Sequence, residues 1–509
     1  MADTADQSPA GPDLAAGIPA SSVIEGAMLL GHVSGEPVIV ARTDGTLHAI
    51  GATCTHYGGP LAAGIIVGDT VRCPWHHACF SLRTGEALRA PALDRVPCFR
   101  VEENDDTIFV RDRIEPPSLY LRTLASPPTS IAIVGAGAAG VAAAEMLRRC
   151  GYPGSIKLFD QLHTAPVDRP NLSKDYLAGT AEEEWVNLRP EDFYQTHNIE
   201  LIRGERITRI DTRARSLVTE SGAIVQFSTL LLATGSSPVK IPVPGAEQPT
   251  VHYLRTLEDS KAIIAAAQTG KRAVVIGASF IGLEVAASLR ERNIAVTVVA
   301  PESLPLERVL GAELGRMVKT LHESHGVVFK LGAAVKSMTP DAVQLADGTS
   351  LPADFVVVGV GVRPDVSVAQ EAGLNVDNGV VVNEMLETSA PGIFAAGDIA
   401  SWPDPRVGQI RVEHWVVAQR QGQVAARNML GAGEPFTLAP FFWSQHYNLR
   451  INYVGHSSRD DKQRVSGDPV KHDCTVTYSA PSGSITAQAD VGRDQASLLA
   501  EARLNGKAE

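Results

Sequence analysis

Four residues near the N-terminus have the types and the spacing of a metal site. Cys54 and His56 are one residue apart, and Cys73 and His76 follow after sixteen intervening residues. Two thiolates and two imidazoles suit a [2Fe–2S] centre in which the cysteines bind one iron and the histidines bind the other. A zinc site with two cysteines and two histidines uses the same ligand types. Zinc is chemically possible here, but the short Cys-X-His spacing and the residues that flank the ligands argue against it, so an iron–sulfur centre is the expectation.

A glycine-rich loop after a strand-like run predicts a first dinucleotide site. Gly135, Gly137 and Gly140 follow the segment IAIV and precede a helical pattern, with Ala139 in the same loop. Glycines at this spacing allow a tight turn and let the backbone approach a pyrophosphate, which the helix N-terminus attracts. Asp160 ends the next predicted strand, twenty residues after Gly140. A carboxylate at that position would hold a ribose.

The same pattern recurs and predicts a second dinucleotide site. Its loop residues, with serine in the middle position, are Gly277, Ser279 and Gly282. Glu302 lies 25 residues after the start of this loop, which is the spacing of Asp160 in the first. A carboxylate there would bind the 2′-hydroxyl of NAD and repel the 2′-phosphate of NADP. Since no arginine follows until Arg308, the sequence favours NADH over NADPH.

The segments that must position these residues differ in character along the chain. Short apolar runs separated by turns predict an all-β domain, a proline-flanked linker follows, and two strand–loop–helix units predict an α/β part with parallel sheet. Short strands and a final helix, RDQASLLAEARL, predict a small α+β C-terminal domain. The expected boundaries are 1–22 for a disordered tail, 23–113 for the β domain, 114–128 for the linker, 129–245 and 373–434 for the first dinucleotide-binding domain, 246–372 for the second, and 435–509 for the C-terminal domain.

Size and charge limit the function classes. The chain has 509 residues and a net charge of −12, which suits several domains and argues against nucleic acid as a partner. No apolar run approaches the roughly 20 residues of a membrane span. The first residues lack the pattern of a signal or transit peptide. A cytoplasmic protein without a membrane span is therefore expected.

The segments around the four metal ligands closely resemble the cluster-binding loops of Rieske ferredoxins. These segments are CTHYGGPL and CPWHHACF. High-potential Rieske proteins carry an extra cysteine in each loop, where this chain has Gly59 and Trp75, and a serine that bonds a cluster sulfur, where it has Ala78. The resemblance therefore implies a low-potential, dioxygenase-type cluster. His77 and Cys79, which are next to the ligands but off the pattern, are interpreted as packing or solvent-facing residues.

Three later segments resemble the ferredoxin-reductase branch of FAD-dependent pyridine nucleotide reductases, which have a glutathione-reductase-like fold. The segments are DRPNLSKDYL, LLLATGSSP and TSAPGIFAAGDIA. The resemblance implies that Arg169 and Lys174 contact the flavin and that Asp398 binds the ribityl chain. It places Trp415 near the isoalloxazine ring, with ordinary core packing as the alternative. It places Glu284 at the nicotinamide pocket, so that Lys174 and Glu284 are the candidate catalytic pair. The remaining implied cofactor-binding residues are Ala233, Thr234, Gly235, Gly361 and Gly397.

Taken whole, the sequence resembles Rieske-containing ferredoxin reductases that are similar to apoptosis-inducing factors. The resemblance implies FAD, NADH and one Rieske [2Fe–2S] cluster, with electrons passing from NADH through FAD to the cluster and on to an external acceptor protein such as an oxygenase component. The alternative is a redox-sensing protein with slow NADH turnover. No cysteine lies between Cys150 and Cys474, so the flavoprotein lacks the nucleophile of a disulfide reductase. A homodimer is compatible with the sequence.

Overall fold

The computed structural model describes residues 10–121 and 126–506, which form two compact units. Among the described residues, the first unit contains 10–121, 126, 145–153 and 493–506, and the second contains 127–144 and 154–492. Within the described ranges, no helix is both long enough and apolar enough to cross a membrane. The helices are α1 (Ala138–Arg149), α2 (Arg169–Leu172), α3 (Asp175–Ala178), α4 (Phe193–Thr196), α5 (Leu257–Thr269), α6 (Phe280–Glu291), α7 (Glu307–Ser324), α8 (Ser367–Glu371), α9 (Trp415–Met429) and α10 (Asp494–Leu504).

Antiparallel strands build the first unit. In chain order they are β1 (Ile18–Pro19), β2 (Met28–Val33), β3 (Glu36–Thr43), β4 (Thr46–Gly51), β5 (Ile65–Val67), β6 (Thr70–Arg72), β7 (Cys79–Ser81), β8 (Ala87–Arg89), β9 (Cys98–Asn104) and β10 (Thr107–Ile114). Strands β1-β10-β9-β4-β3-β2 form one sheet in that order, and β5-β6-β7-β8 form a second. The predicted all-β domain is confirmed.

Strand β3 shows how the sequence builds the core of this unit. Side chains of a strand point alternately to its two faces. Ile39 and Ala41 pack into the cluster that also contains Cys54 and Cys73. Val38 and Val40 face a second cluster on the other side of the sheet. The continuous run VIVA is therefore buried on both faces, which explains why it lacks polar alternation.

The predicted disordered tail is wrong for residues 10–22. Leu14 is fully buried in the β domain, and Ile18 pairs with Ile108 at the edge of the six-stranded sheet. Burial of these two apolar side chains stabilises the ordered segment. A reading from composition could not detect this, because the segment is rich in Gly, Ala and Pro. Residues 1–9 of the predicted tail lie outside the described part of the chain.

The C-terminal helix also groups differently from its predicted domain. The predicted helix forms as α10, and it belongs to the first unit rather than to a C-terminal domain with the preceding strands. Leu498 and Glu501 on this helix are buried, and Gln495 donates from Nε2 to the Ala63 carbonyl oxygen at 3.2 Å. Burial of one helix face against the β domain explains the grouping. The other predicted boundaries remain predictions, and residues 122–125 of the predicted linker lie outside the described ranges.

The second unit contains two parallel sheets built from the two strand–loop–helix patterns, which confirms the predicted α/β part. The first sheet uses β11 (Ser130–Val134), β12 (Ser155–Asp160), β13 (Ile199–Arg203), β17 (Thr229–Leu232) and β29 (Ile393–Ala395). The second uses β19 (Val251–Tyr253), β20 (Arg272–Ile276), β21 (Ala295–Ala300), β22 (Val328–Leu331) and β26 (Phe355–Val358). Their orders are β13-β12-β11-β17-β29 and β22-β21-β20-β26-β19, so the first four strands have the same arrangement in both sheets, while the fifth comes last in the chain in one sheet and first in the other.

Burial on both faces explains the unbroken apolar strands of these sheets. In β26, Phe355 and Val357 face one core cluster, while Val356 and Val358 face another. Parallel sheets covered on both faces require such runs. Each parallel sheet also places the carboxyl ends of its strands at one edge, which is where ligands bind in open α/β sheets.

Smaller sheets with mostly antiparallel pairing complete the second unit. Three of them have three strands and are formed by β14 (Ile207–Asp211), β15 (Ser216–Thr219) and β16 (Ile224–Gln226), by β23 (Val335–Thr339), β24 (Ala342–Leu345) and β25 (Ser350–Pro352), and by β28 (Val380–Val381), β30 (Ala400–Asp404) and β31 (Gly408–Ile410). A connecting pair is β18 (Ser236–Pro238) with β27 (Val362–Pro364). A five-stranded sheet contains β32 (Phe441–His446), β33 (Leu449–Gly455), β34 (Lys462–Asp468), β35 (Asp473–Ser479) and β36 (Ile485–Val491).

Candidate cluster and nucleotide sites

The four predicted metal ligands lie on two loops with the same backbone geometry. In the loops that begin at Cys54 and Cys73, the cysteine N–H donates to the carbonyl oxygen five residues later, at 2.8 Å in both. The cysteine carbonyl oxygen accepts from the N–H four residues later, at 3.0 Å and 3.2 Å. That fourth residue has a positive φ in each loop, +74° at Gly58 and +59° at His77. The two loops are therefore equivalent halves of one site.

The geometry of the side chains fits a cluster with two sulfur and two nitrogen ligands. His56 Nδ1 lies 3.1 Å from His76 Nδ1. Two nitrogens bound tetrahedrally to one metal at about 2.0–2.1 Å would lie about 3.3 Å apart. Burial lowers the pKa of His56 to about 3, which keeps the imidazole in the neutral form that binds metals. Cys54 and Cys73 are both buried, and hydrogen bonding to the Cys73 thiol, with burial, raises the pKa of Cys54.

Two positions where this chain departs from high-potential Rieske loops are tightly enclosed. A Cβ at Gly59 would lie 2.7 Å from Cys73 Sγ, so no side chain fits there without a shift. Ala78 is fully buried and supplies no hydroxyl group to a cluster sulfur. Fewer hydrogen bonds to sulfur stabilise the reduced cluster less. Both features support the low potential, which remains a prediction.

His77 and Cys79, beside the ligands, are buried, which agrees with a packing role rather than a solvent-facing one. His77 Nδ1 lies 2.9 Å from Glu501 Oε2 on helix α10, and both side chains are almost completely buried. The partner lies 424 residues further along the chain. Sequence reasoning missed this contact because nothing local in the sequence signals it.

The first glycine loop has the geometry that a dinucleotide requires. Gly135 has a φ of +106°, and a Cβ there would lie 2.2 Å from the Ala233 carbonyl oxygen. A Cβ at Gly140 would lie 1.9 Å from the Gly135 carbonyl oxygen. A Cβ at Gly137 would have the guanidinium of Arg169 as its nearest neighbour, at 3.7 Å. The outer glycines are therefore required by the backbone, while the middle glycine leaves room for a ligand.

The second loop repeats this geometry with one added contact. Gly277 has a φ of +108°, and a Cβ there would lie 2.3 Å from the Gly359 carbonyl oxygen. A Cβ at Gly282 would lie 2.3 Å from the Gly277 carbonyl oxygen. The Ser279 hydroxyl donates to Gly359 O at 2.6 Å and accepts from Gly282 N–H at 3.4 Å. Serine in the middle position thus ties the start of α6 to the end of β26.

Both loops open into one cavity of about 1090 Å³ within the second unit. The predicted residues that line it are Gly135, Gly137, Ala139, Asp160, Arg169, Lys174, Ala233, Thr234, Gly235, Ser279, Glu284, Gly361, Gly397, Asp398 and Trp415. Gly140, Gly277 and Gly282 do not line it and instead shape the turns beneath. The structure therefore brings together residues from eight separate segments of the chain.

Charged groups at the first loop include one that sequence reasoning missed. Arg255 donates from Nη2 to Asp398 Oδ2 at 2.9 Å, and Ser236 donates to the same oxygen at 2.7 Å. Burial alone would raise the pKa of Asp398, but Arg255, Ser236 and Arg169 together lower it. The neighbouring Arg255, with burial, lowers the pKa of Arg169 to about 10. The guanidiniums of Arg169 and Arg255 suit a pyrophosphate, and the carboxylate of Asp398 suits a hydroxylated chain.

The candidate catalytic pair is formed. Lys174 Nζ lies 2.7 Å from Glu284 Oε2, and the Ser173 hydroxyl donates to the same oxygen at 2.6 Å. The Ser444 hydroxyl donates to Glu284 Oε1 at 2.7 Å. Glu284 is 3 % exposed, so this carboxylate is stabilised by three donors rather than by water.

The two predicted ribose carboxylates occupy different surroundings. Asp160 ends β12, lines the cavity and accepts from Leu162 N–H at 3.1 Å. Burial raises its pKa. Glu302 does not line the cavity, and its Oε1 lies 3.0 Å from Nη2 of Arg308, which does. The ribose role of Glu302 therefore remains a prediction.

Two family models match the chain. The Rieske [2Fe-2S] domain matches residues 16–100. The pyridine nucleotide-disulphide oxidoreductase model matches residues 129–422, which is more than half of the chain. The chain belongs to the pyridine nucleotide-disulphide oxidoreductase family. It is a family member with a Rieske domain ahead of the flavoprotein part, and its cofactors are FAD, NADH and a [2Fe–2S] cluster.

Some relatives match nearly the whole of this chain, and others match about seven tenths of it. The human protein "Apoptosis-inducing factor 3" is 33% identical over 92% of this chain and 80% of its own length. The "Anthranilate 1,2-dioxygenase system ferredoxin--NAD(+) reductase component" of Burkholderia cepacia is 36% identical over 71% of this chain and 91% of its own length. The crystal structure of a covalent putidaredoxin reductase–putidaredoxin complex matches with a TM-score of 0.72 and 34% identity, over 75% of this chain and 94% of that chain.

The disulphide chemistry in the family's name does not extend to this member. Between Cys150 and Cys474 the sequence contains no cysteine, so no thiol comes from the nucleotide-binding segments 154–473. Since thiolate is the nucleophile in disulfide reduction, the cavity cannot support that reaction. This member of the family is an FAD-dependent NAD(P)H oxidoreductase of the ferredoxin-reductase type.

Proposed function

We propose that this protein passes electrons from NADH through FAD to its own Rieske cluster and on to an external acceptor protein such as an oxygenase component. The observation that carries the proposal is the presence of both sites in one chain: a four-ligand cluster site and a cavity lined by two dinucleotide loops. The relatives named for dioxygenase and putidaredoxin systems support an oxygenase-type acceptor.

Different residues of the cavity would bind the flavin and the nicotinamide. Bound FAD would supply the conversion of a two-electron donor into single-electron steps. Arg169, Arg255 and Asp398 would hold it from the side of the first loop. Trp415 begins α9 and lines the cavity, so the free N–H groups of that helix end would be available to a bound cofactor. Lys174 and Glu284 line the cavity in contact with each other and would orient the nicotinamide.

The two cluster loops would hold the acceptor of these electrons. Cys54 and Cys73 would bind one iron, and His56 and His76 the other. The neutral state of His56 avoids competition between a proton and the metal for Nδ1. All four ligand roles, like those in the cavity, are supported by geometry and remain to be tested by substitution.

Anaerobic titration with NADH tests the electron path. We expect the flavin absorbance to bleach and the Rieske EPR signal of the reduced cluster to appear in the same titration. A Cys73→Ser variant, loaded with FAD, is the control and should bleach without an EPR signal. A wild-type flavin that bleaches while the cluster remains oxidised would contradict internal transfer.

A redox-sensing role is the second candidate. The observation that favours it is that the relative named "Apoptosis-inducing factor 3" covers 92% of this chain, whereas the anthranilate reductase covers 71%. In that role, NADH would form a long-lived complex and change association with a partner. Turnover with ferricyanide separates the two functions: rapid turnover supports the electron-transfer role, and slow turnover with a persistent charge-transfer band supports sensing.

Two further properties belong to the proposal. We also propose a cytoplasmic location, which subcellular fractionation would test. A homodimer is also proposed, and sedimentation of the holoenzyme would test it.

A further inference from the structure

One side of helix α6 contacts the short stretch of chain that carries Lys174. Glu284, Ser288 and Arg292 are spaced by four residues, so their side chains lie on the same side of α6 and its C-terminal end. All three contact residues 169–178, which contain the short helices α2 and α3. We call residues 169–178 the Lys174 segment.

Glu284 and Ser288 contact the same two residues in complementary ways. The Glu284 carboxylate accepts from the side chains of Lys174, at 2.7 Å, and Ser173, at 2.6 Å. The Ser288 hydroxyl donates to the Ser173 carbonyl oxygen at 2.8 Å, and the Lys174 carbonyl oxygen lies 3.3 Å from it. Glu284 therefore binds the two side chains, while Ser288 binds the backbone that carries them. Ser173, Glu284 and Ser288 are all buried.

The backbone beside Lys174 requires a donor from elsewhere in the fold. Helix α2 ends at Leu172 and α3 begins at Asp175, so Ser173 and Lys174 lie at the break between two helices. Carbonyl groups at the end of a helix lack partners within it. A buried carbonyl group that loses its donor destabilises the fold. The Ser288 hydroxyl supplies the donor for Ser173.

The Lys174 segment is bound by helices that follow it in the chain. Ser260 on α5 is also buried, and its hydroxyl donates to the Leu172 carbonyl oxygen at 3.0 Å. Leu177 packs in the core cluster that contains residues of α6 and β20. The predicted boundaries place residues 169–178 in the first dinucleotide-binding domain, but these donors come from helices of the second.

Helix α6 also begins at the second nucleotide loop. Its N-cap, Ser279, lines the cavity, and a helix N-terminus at such a loop attracts a pyrophosphate. Glu284 lines the same cavity, whereas Ser288, one turn further along, does not. One helix would therefore carry both the pyrophosphate site of NADH and the contacts that fix Lys174.

We propose that Ser288 is a positioning residue that fixes the backbone of Lys174, so that the Lys174–Glu284 pair keeps its place relative to a nucleotide bound at α6. The inference rests on the proposed function, in which this pair orients the nicotinamide. Ser288 does not line the cavity, so it acts through Lys174. Reaction rates depend steeply on such geometry, and a displacement of about 1 Å can lower them on the order of 100-fold.

Crystal structures of the wild-type, Ser288→Ala and Ser260→Ala holoenzymes test the contact. The two variants are matched, because each removes one buried hydroxyl that donates to a carbonyl of the Lys174 segment. We expect Lys174 Nζ to leave hydrogen-bonding distance of Glu284 in Ser288→Ala and to keep the wild-type contact in Ser260→Ala. An intact Lys174–Glu284 contact in Ser288→Ala would overturn the inference.

Anaerobic stopped-flow reduction by NADH tests the consequence for the reaction. The limiting rate of flavin bleaching and the Kd for NADH are measured separately. Ser288→Ala should lower the limiting rate about 10-fold and leave the Kd within about threefold, because it disturbs orientation rather than binding. Ser260→Ala should leave the limiting rate within about twofold of wild type, because Leu172 is further from the pair. Equal limiting rates in the two variants would contradict the proposal.

Combination with Lys174→Met separates positioning from a general structural effect. Residues that act as a unit are not additive, so adding Ser288→Ala to Lys174→Met should change the limiting rate by less than about twofold. A further fall of about 10-fold in the double variant would show that Ser288 does not act through Lys174.

Failure of the inference can be distinguished from failure of the proposed function. Absence of flavin bleaching in the wild-type protein would overturn the proposed function. The crystal structures need no turnover, so they would still decide whether Ser288 positions Lys174.

Discussion

The two nucleotide loops form one repeated pair and the two cluster loops form another. The two pairs differ in the residues that occupy their positive-φ position. In the nucleotide pair, the first loop position has a φ near +107° in both copies and is glycine both times, at Gly135 and Gly277. In the cluster pair, the equivalent left-handed position is Gly58 in one loop and His77 in the other. A non-glycine residue in this conformation costs roughly 1–2 kcal/mol. The chain therefore retains a histidine where glycine would be easier.

Contact with the rest of the chain explains the difference. A Cβ at either nucleotide glycine would meet a carbonyl oxygen within 2.3 Å, so no side chain is tolerated. At Gly58, a Cβ would meet nothing within 4 Å. The corresponding space at His77 is filled by an imidazole that contacts Glu501. The backbone conformation is therefore the same in both loops of a pair, while the side-chain contacts differ between them.

The largest expected effect comes from adding a methyl group to the nucleotide loops. Gly135→Ala should abolish FAD binding, because the new Cβ would collide with the Ala233 carbonyl oxygen at a positive φ. Gly277→Ala should retain FAD but lose reduction by NADH. Flavin absorbance after purification and anaerobic NADH titration measure the two results. Loss of FAD in both variants would show that the loops do not act separately.

The cluster loops should respond unequally to alanine. His77→Ala leaves the Glu501 carboxylate buried without its imidazole, which typically destabilises a protein by about 3–5 kcal/mol. Gly58→Ala should cost only about 1 kcal/mol, since it adds strain without a clash. Denaturant unfolding of the holoenzyme compares them. The double variant His77→Ala, Glu501→Leu should recover part of the loss, and equal losses in the two single variants would contradict the comparison.

The charged groups beside the first nucleotide loop should make the stability of the protein depend on pH. Asp398→Asn should reduce the free energy of unfolding by about 2 kcal/mol at pH 7, because Arg255 loses a charged acceptor. The folded-state pKa of Asp398 lies below its ordinary value of 3.8. Its stabilisation is therefore present above 3.8 and is lost as the pH falls through the folded-state pKa.

Thermal unfolding of Asp398→Asn and wild type across this acid range checks the prediction. The stability difference between them should shrink as the pH falls below 3.8. A difference that grows on acidification would contradict the sign. Asp365→Asn, which removes another carboxylate at the cavity, serves as the comparison variant.

The smallest effect is expected at the second loop. Glu302→Ala should release Arg308, which lines the cavity, for contact with a 2′-phosphate. An exposed ion pair is worth up to about 1 kcal/mol, so the ratio of kcat/KM for NADPH to that for NADH should rise about fivefold. Steady-state kinetics with both nucleotides measures it. An unchanged ratio would show that Glu302 does not control nucleotide choice.

Much of the site could be predicted because its signals are local. The Cys-X-His spacing, the glycine loops and the strand ends place Cys54, Gly135 and Asp160 directly, since each depends on a backbone turn that neighbouring residues encode. The ordered segment at residues 10–22 was missed because its order depends on Ile18, which pairs with Ile108 ninety residues away, and on the burial of Leu14.

The sequence by itself determined the ligand types, the two dinucleotide loops and the absence of a flavin-linked thiol, because these follow from residue identity and short spacing. Only the tertiary structure decided that Arg255 joins Asp398, that His77 meets Glu501, and that Ser444 contacts Glu284. Those contacts join residues between 143 and 424 positions apart. Their physical basis is burial: once water is excluded, each polar group must find a partner in whichever element packs against it.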